Sequence, residues 1–428
     1  RRVYILGLGL FAVASLTCGL SPNVGVLIAA RGVQGLGAAA MFASTMALIS
    51  SSYSGRDRGV AFGVWGAVTG AAGATGPIVG GLLTTHVGWR WIFLVNLPVS
   101  VCAVALSLAV IRETRDPRPR RVDLPGMASF TVAAAALTYA LIRGDWASPL
   151  TIALLIVAAL ALLVFAGVER VRRDPMLDLA LLRNRSFTVI LAAGALLSAA
   201  AWAALTYESL WLQSVLGLSA ISAGLVVLPC SVAALLVSAM VGRVIHRMQP
   251  RLLIGGGLVI VVAGALAQAS ISASSGWAAV IPGLVLVGAG AGLAVAPLSA
   301  TAMAAGPGER AGMAGGALNA FRQLGYAFGI AILGGVFRGG LTHVAGPALA
   351  GPLGGGQAGE VMSRSDALDH LARQAFATGL DTTFTVAAGF GLVAAILVFT
   401  LARRPSADRG APGAMAPEPA AATSSSRS

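Results

Sequence analysis

Residues 63–81 read GVWGAVTGAAGATGPIVGG. Gly63, Gly66, Gly70, Gly73, Pro77 and Gly80 step by three or four positions, so a helix gathers them on one side as a stripe without bulk. Within hydrocarbon there is no hydrophobic drive between helices, and small residues let two backbones approach closely. Pro77 lacks an N–H and bends or loosens the helix at that point. The stretch predicts a membrane-spanning helix packed tightly against a neighbour, with a compliant point in its wall.

The rest of the chain fits that setting. Hydrophobic residues make up 57% and charged residues only 11%, and the mean hydropathy is +0.84, outside the range of soluble domains. Apolar runs of about 20 residues, long enough to cross ~30 Å of hydrocarbon, recur along the whole length. Twelve spans are read: 3–20, 24–50, 59–84, 89–112, 123–143, 149–169, 187–214, 220–245, 251–273, 277–303, 312–338 and 376–402. The fold class is therefore an all-α polytopic membrane protein.

A net charge of +13 could point to nucleic acid, but its distribution argues against that. All 29 basic residues are arginine. One set of alternating loops holds Arg1, Arg2, Arg56, Arg58, the cluster 112–121, the cluster 170–185, Arg247, Arg251, Arg310, Arg403 and Arg404. The other holds little beyond Arg143 and, in one long loop, Arg338, Arg364 and Arg373. The positive-inside rule places the first set in the cytoplasm, with the C-terminus on that side of the cell membrane. Cys18, Cys102 and Cys230 all fall within spans and read as small core residues. The four histidines are scattered without metal-ligand spacing, and no Ser-His-Asp or Cys-His pattern suggests an enzyme. The glycine-rich stretches lack GxxxxGK[ST], so no ATP-driven motor is encoded in them.

An internal repeat organises the chain. Arg2 precedes a span, a short loop (LSPNV), a second span, then SGRDRGVAFG and a glycine-rich helix. Arg251 precedes a span, a short loop (SASSG), a second span, then GPGERAGMAGG and another glycine-rich helix. The distance from Arg2 to Arg58 is 56 residues and from Arg251 to Arg310 is 59. Two spans, 187–214 and 220–245, precede Arg251; the first copy lacks counterparts, which predicts about 60 to 65 further residues upstream of Arg1. The expected division is 1–112, four spans of an N-terminal bundle; 113–185, two extra spans between Arg-rich loops; 186–402, a six-helix C-terminal bundle with a long outer loop at 339–375; and 403–428, a disordered Ala/Pro/Ser-rich tail.

The string Gly70-x-x-Gly73-x-x-Gly76-Pro77-x-x-Gly80-Gly81 resembles the antiporter motif in the fifth helix of major facilitator superfamily exporters. With the two missing spans, the six-two-six count resembles the fourteen-helix drug:proton antiporters of the EmrB/QacA type. Arg31-Gly-Val-Gln34-Gly35-Leu-Gly37 resembles the fourth-helix motif of that superfamily. There the resemblance implicates the arginine in proton coupling beside a carboxylate; a structural arginine bonded to helix carbonyls is the other reading. Either way, a guanidinium at membrane depth requires water or a partner. Trp89-Arg-Trp91-Ile-Phe93-Leu-Val-Asn96-Leu-Pro98 is similar to the start of the sixth helix, with interfacial anchoring its main role and Asn96 a candidate polar contact in the pore. GRVIHRMQPR at 242–251 is a degenerate form of the loop between second and third helices, with His246 and Gln249 where the pattern has Asp and Gly.

Glu208 is the sole carboxylate read well inside a span. A carboxyl withdrawn from water favours its neutral form, and one that alternates between dry and wet settings takes up and releases a proton. The competing reading anchors it at the outer interface beside Trp211, about 12 Å from the helix end. Asp381 is a second, weaker candidate near the outer end of the last span. Asn319-Ala-Phe321-Arg322-Gln323-Leu-Gly325 resembles the RQxG element of the fourteen-helix branch, with a structural role for Arg322 weighed equally against a role in substrate or proton handling. Trp202, Tyr207 and Phe321, with Asn96, Asn319 and Gln323, are the candidates to line a substrate cavity. Pro229 and Pro297 fall within spans, where kinks are common.

The resemblance implies proton-coupled export of amphipathic small molecules by a monomer without cofactor or metal, driven by the proton gradient. A dedicated exporter of one endogenous metabolite or antibiotic shares every motif. A membrane sensor or scaffold would require a folded signalling domain, which the sequence does not display. Nutrient uptake is disfavoured by the Gly-Pro motif.

Overall fold

The structure, a computed structural model, describes residues 1–401 except 54, 112, 114–122, 144–147, 173–174, 245–247 and 306–310. Within 43–78 the side chains of many residues, Gly70, Gly73 and Pro77 among them, lie outside the described set, as does the tail expected at 403–428.

Every predicted span is helical. In chain order they are α1 (Arg2–Gly19), α2 (Val24–Ser52), α3 (Gly55–His86), α4 (Trp91–Leu94) with α5 (Asn96–Val110), α6 (Leu124–Arg143) and α7 (Pro149–Val171). The short α8 (Leu179–Leu182) leads into α9 (Arg185–Ser198), which passes through a π-helical turn at Ala199–Ala203 into α10 (Ala204–Ser214). Then follow α11 (Ala220–Val244), α12 (Pro250–Ala269), α13 (Ile281–Ala305), α14 (Ala311–Gly354), α15 (Ala358–Met362) and α16 (Asp366–Leu401). Among the described residues, eleven spans meet the length and hydropathy of a membrane crossing; α3, whose side chains are described only in part, is the remaining long helix.

Glycine sets the packing. Gly7 on α1 and Gly37 on α2 face each other, and a Cβ on Gly37 would lie 2.6 Å from Phe11 N and 2.8 Å from Gly7 O. The corresponding pair in the second repeat, α12 and α13, crosses the same way: a Cβ on Gly257 would lie 2.6 Å from Gly290 O, and one on Gly264 2.7 Å from Val287 N. α9 and α14 run parallel with a third seam. Gly325 abuts the Ala195 backbone, and a Cβ on Gly329 would meet Ala199 Cα at 2.7 Å and Ala203 Cβ at 2.8 Å. Small residues four apart on both partners let these helices close without side-chain bulk between them.

One expectation is corrected. Residues 339–375 are not a long loop: α14 continues past its span to a break at Gly346 (φ 77°), resumes to Gly354, and is followed by α15 and the first turns of α16. α14 and α16 pack closely in this region, with Phe337 and Phe376 rings 5.5 Å apart and the Cα of Gly379 2.6 Å from a Cβ placed on Gly340. Leu341, Ala350, Leu353, Ala358 and Val361 are buried and continue the apolar core of the second repeat. They lie next to the end of α10, where a Cβ on Gly356 would meet Leu210 at 3.6 Å. Glycine and alanine masked the helical pattern in the sequence, but alanine is a strong helix former and the buried apolar face supplies the rest.

Candidate functional site

Glu208 lies on α10 one turn beyond the π-helical segment. A π turn inserts a residue and resets which face the following helix presents, and such turns concentrate at functional sites. The result is a carboxyl with no exposure at all. Gln268 Nε2 on α12 donates to Glu208 Oε2 at 2.8 Å, and Gln268 is itself buried. Oε1 has no partner among the described residues. Room for the Gln268 side chain comes from α13: a Cβ on Gly283 would strike Gln268 Cγ and lie 3.2 Å from its Cδ. The placement rules out an interfacial, headgroup-wetted Glu208 in this conformation. Its neighbour Tyr207 turns the other way and donates its hydroxyl to the Ile330 carbonyl of α14 at 2.5 Å, in the gap left by Gly334, while its ring stacks 5.2 Å from Phe337.

Gln268 gave no signal in the sequence. It is a lone amide in an apolar run, 60 residues from its partner.

The Arg31 motif forms a polar chain across two helices. Arg31 Nη1 donates to Gln34 Oε1 at 2.8 Å, and Gln34 Nε2 donates to Ser15 Oγ on α1 at 2.6 Å. Gln34 and Ser15 are buried; Arg31 is exposed, with its guanidinium carbon 5.8 Å from the Phe93 ring centre. Gln34 thus holds the arginine in place by its carbonyl while its amide fixes the register of α1. Gly37 supplies the close crossing described above, and Gly35 faces open space.

Arg322 lies on α14 with its stem against α9, where a Cβ on Gly194 would meet Arg322 Cγ at 3.2 Å; its buried Nε has no partner among the described residues. Gly194 and Glu208 are 14 positions apart on a nearly continuous helix, roughly 21 Å. The structure does not bring these two groups together. Asp381, on α16, is exposed, whereas Glu208 is fully buried. Asn319 and Gln323 share an exposed face of α14, whereas Trp202 and Phe321 pack against the buried core of the second repeat. Asn96 donates to the Ile92 carbonyl one turn back on its own segment at 3.4 Å. Arg90, between the two tryptophans, reaches Ser21 O at 3.3 Å and ties the turn after α1 to the α3–α4 connection.

Among the described glycines of the Gly-Pro stretch, Gly81 makes the contact: a Cβ there would lie 2.8 Å from Ile221 N and 2.9 Å from Ala220 C at the start of α11. Cβ atoms on Gly76 and Gly80 would meet open space. α3 and α11 nonetheless pack along their lengths, joining the first repeat to the second. Among the described residues no group of three or more His, Cys, Asp or Glu is placed to hold a metal ion.

Solved structures with the same helical architecture include the human organic anion transporter MFSD10 (TETRAN), with TM-score 0.59 and 18% identity over 93% of this chain and 76% of that one. A bacterial homologue of the human lysosomal transporter Spinster, in an inward-facing and occupied conformation, matches with TM-score 0.55 and 16% identity over 96% of this chain and 84% of that one. In sequence the chain is 39% identical over 353 residues to the multidrug resistance protein Stp of Mycobacterium tuberculosis, covering 82% of this chain and 66% of the relative. It is 33% identical to the puromycin resistance protein pur8 of Streptomyces alboniger, covering 78% and 68%. It is 28% identical to the tetracenomycin C resistance and export protein of Streptomyces glaucescens, covering 96% and 81%. The chain thus spans about two thirds of the length of the first of these relatives. The sequence profile of the Major Facilitator Superfamily matches residues 1–330, and the chain belongs to that superfamily.

Proposed function

We propose that this protein exports amphipathic small molecules from the cytoplasm in exchange for protons, by alternating access. The observation that carries the reading is Glu208. A carboxyl at membrane depth is costly to keep and marks a functional site by default; this one is sealed from solvent, with one oxygen on Gln268 and the other open. A transported proton needs such a group, closed in one conformation and wetted in the other. The exposed faces bearing Arg31, Asn319 and Gln323 would then line the path between the repeats, with few fixed hydrogen-bond partners and hence broad selectivity. Arg31 and Arg322 would supply fixed positive charge, and Asp381 a further exchangeable carboxylate. The names of the relatives, several of them resistance proteins, support a drug or antibiotic as cargo. The likeness to a tetracenomycin C resistance and export protein over 96% of the chain favours, as a second reading, a dedicated exporter of one such compound. The protein would act as a monomer in the plasma membrane, without cofactor, with its C-terminus in the cytoplasm.

The test is transport by the purified protein in proteoliposomes, using a fluorescent amphipathic cation. The wild type should accumulate it against its gradient when a pH gradient is imposed. Glu208→Gln keeps shape and hydrogen-bonding capacity but cannot titrate; it should abolish pH-driven accumulation and spare downhill exchange. Full pH-driven accumulation by this variant would remove Glu208 from the mechanism.

A further inference from the structure

Arg322 is a charge that the fold leaves unanswered. It lies eleven positions after Ala311, the first residue of α14, within the span read at 312–338. Its stem runs in the notch that Gly194 leaves on α9, where an added Cβ would meet Arg322 Cγ at 3.2 Å and Leu318 Cδ1 at 2.7 Å. The stem is held there, yet the guanidinium makes no hydrogen bond and no ion pair among the described residues, and its Nε is buried. A guanidinium at membrane depth requires water or a partner.

None of the carboxylates on the elements around α14 is placed to be that partner. α14 itself and α2, α6, α9 and α13, which pack against it, contain no Asp or Glu. Glu208 belongs to another level of the bundle. Its neighbour Tyr207 reaches the Ile330 carbonyl, eight positions beyond Arg322 and roughly 12 Å along α14, and Glu208 is engaged by Gln268 on α12. Gly379, two positions before Asp381, packs on Gly340, eighteen positions beyond Arg322 and roughly 27 Å along the same helix. Asp369 is paired with Arg373, and Glu360 follows the break at Gly346. Asp178 meets α14 through Met313, nine positions before Arg322 and roughly 13 Å away along the helix. The acidic residues outside the described set, Asp116, Asp145, Asp174, Glu309, Asp408 and Glu418, fall in sequence between or after the apolar spans.

The open side of α14 offers donors instead. Asn319, Gln323 and Tyr326 stand three positions before, one after and four after Arg322, and all three are exposed. Each carries an N–H or O–H donor, and polar side chains on a membrane helix face protein or a watered path rather than lipid. A guanidinium flanked by neutral donors matches a planar anion. A carboxylate accepts two parallel N–H bonds from the guanidinium fork, and the amides and the phenol satisfy its remaining lone pairs.

We propose that Arg322, with Asn319, Gln323 and Tyr326, forms an anion subsite in the cargo path, which takes the carboxylate of an acidic amphipathic cargo. The subsite presupposes the export path proposed above but not its proton coupling. Acidic cargo brings the counter-charge that the fold omits. Cargo without an acidic group follows the same path without that contribution, so selectivity is broad but graded, with acids ahead of neutral compounds and cations last.

The test is equilibrium binding to the full chain in nanodiscs, with empty nanodiscs as the blank and no gradient applied. The probes share one ring system: anthracene-9-carboxylate, anthracene-9-carboxamide and anthracen-9-ylmethylammonium. The wild type should bind the carboxylate roughly tenfold or more tighter than the carboxamide, and the ammonium weakest. Arg322→Met keeps the apolar stem without the charge and should weaken carboxylate binding roughly ten- to a hundredfold, the loss of a charge-assisted pair. Because Arg322 makes no bond within the described protein, this variant should melt no lower than the wild type. Arg322→Lys keeps the charge without the fork and should hold part of the preference. Asn319→Leu leaves Arg322 in place, serves if the Arg322 variants misfold, and should weaken the carboxylate more than the ammonium. Equal binding of carboxylate and carboxamide by the wild type, or undiminished carboxylate binding by Arg322→Met, would overturn the subsite. So would chloride that abolishes the carboxylate preference at physiological concentration, which would make this a site for a free inorganic anion. A wild type that shows the preference but fails to accumulate cargo against a gradient would sink only the proton step.

Discussion

At the scale of single residues, the Glu208–Gln268 contact makes a prediction separable from transport. Gln268→Leu leaves a buried carboxyl without its donor and should cost about 1–3 kcal/mol of stability, read as a lowered melting midpoint in detergent. Replacing both partners, Glu208→Leu with Gln268→Leu, removes the stranded polar group and should recover most of that loss. If the double variant melts no higher than Gln268→Leu, the contact is not what the buried amide is there to make. Glu208 was legible in the sequence because a charged letter interrupts an apolar run. Its burial and its partner were not: which face of α10 points inward depends on the π turn at Ala199–Ala203, and periodicity read at 3.6 residues per turn slips across such a turn. Helix length shows the same limit from the other side: α16 starts ten residues before the span read at 376–402, so hydropathy marks the apolar stretch and not the helix end.

At the scale of elements, the glycines sort into two kinds, and substitution should separate them. Gly81→Val and Gly329→Val push a branched side chain into backbone that lies within 3 Å of the new Cβ. Overpacking of this kind costs about 1–3 kcal/mol, so both should lower the melting midpoint. Gly76→Val meets open space and should leave the midpoint unchanged. If the α3–α11 seam closes over Gly76 in the opposite conformation, Gly76→Val should still depress export, a loss of transport without loss of stability. Normal export by Gly76→Val at equal expression would remove Gly76 from the seam. The stripe itself was readable from spacing alone. Which of its members touch a neighbour was not, since spacing gives a face and only the partner helix gives the contact. The 339–375 segment makes the complementary point: it lacks a long apolar run, so hydropathy passed over it, yet Leu341, Leu353 and Val361 suffice to fold it against the end of α10.

At the scale of the whole molecule, arginine placement predicts a side for the connections, and the corrected 339–375 segment offers the sharpest check of it. The arginine clusters at 112–121 and 170–185 should lie in the cytoplasm, and the helical cap around α15 outside. Ser363, at the end of α15, and Arg183, just after α8, are both exposed, so each is a usable reporter. With Cys18, Cys102 and Cys230 replaced by alanine or serine, an impermeant maleimide added to intact cells should label Ser363→Cys and spare Arg183→Cys until the membrane is opened. The same cap closes over the end of α10, two turns from Glu208. Outside reagent reaching Ser363 therefore also places the end of α10 beneath this cap on the outer side. Labelling in the reverse order would invert the molecule. The cap and the end of α10 would then face the cytoplasm and the arginine-rich connections the outside, against the orientation that the arginine distribution predicts.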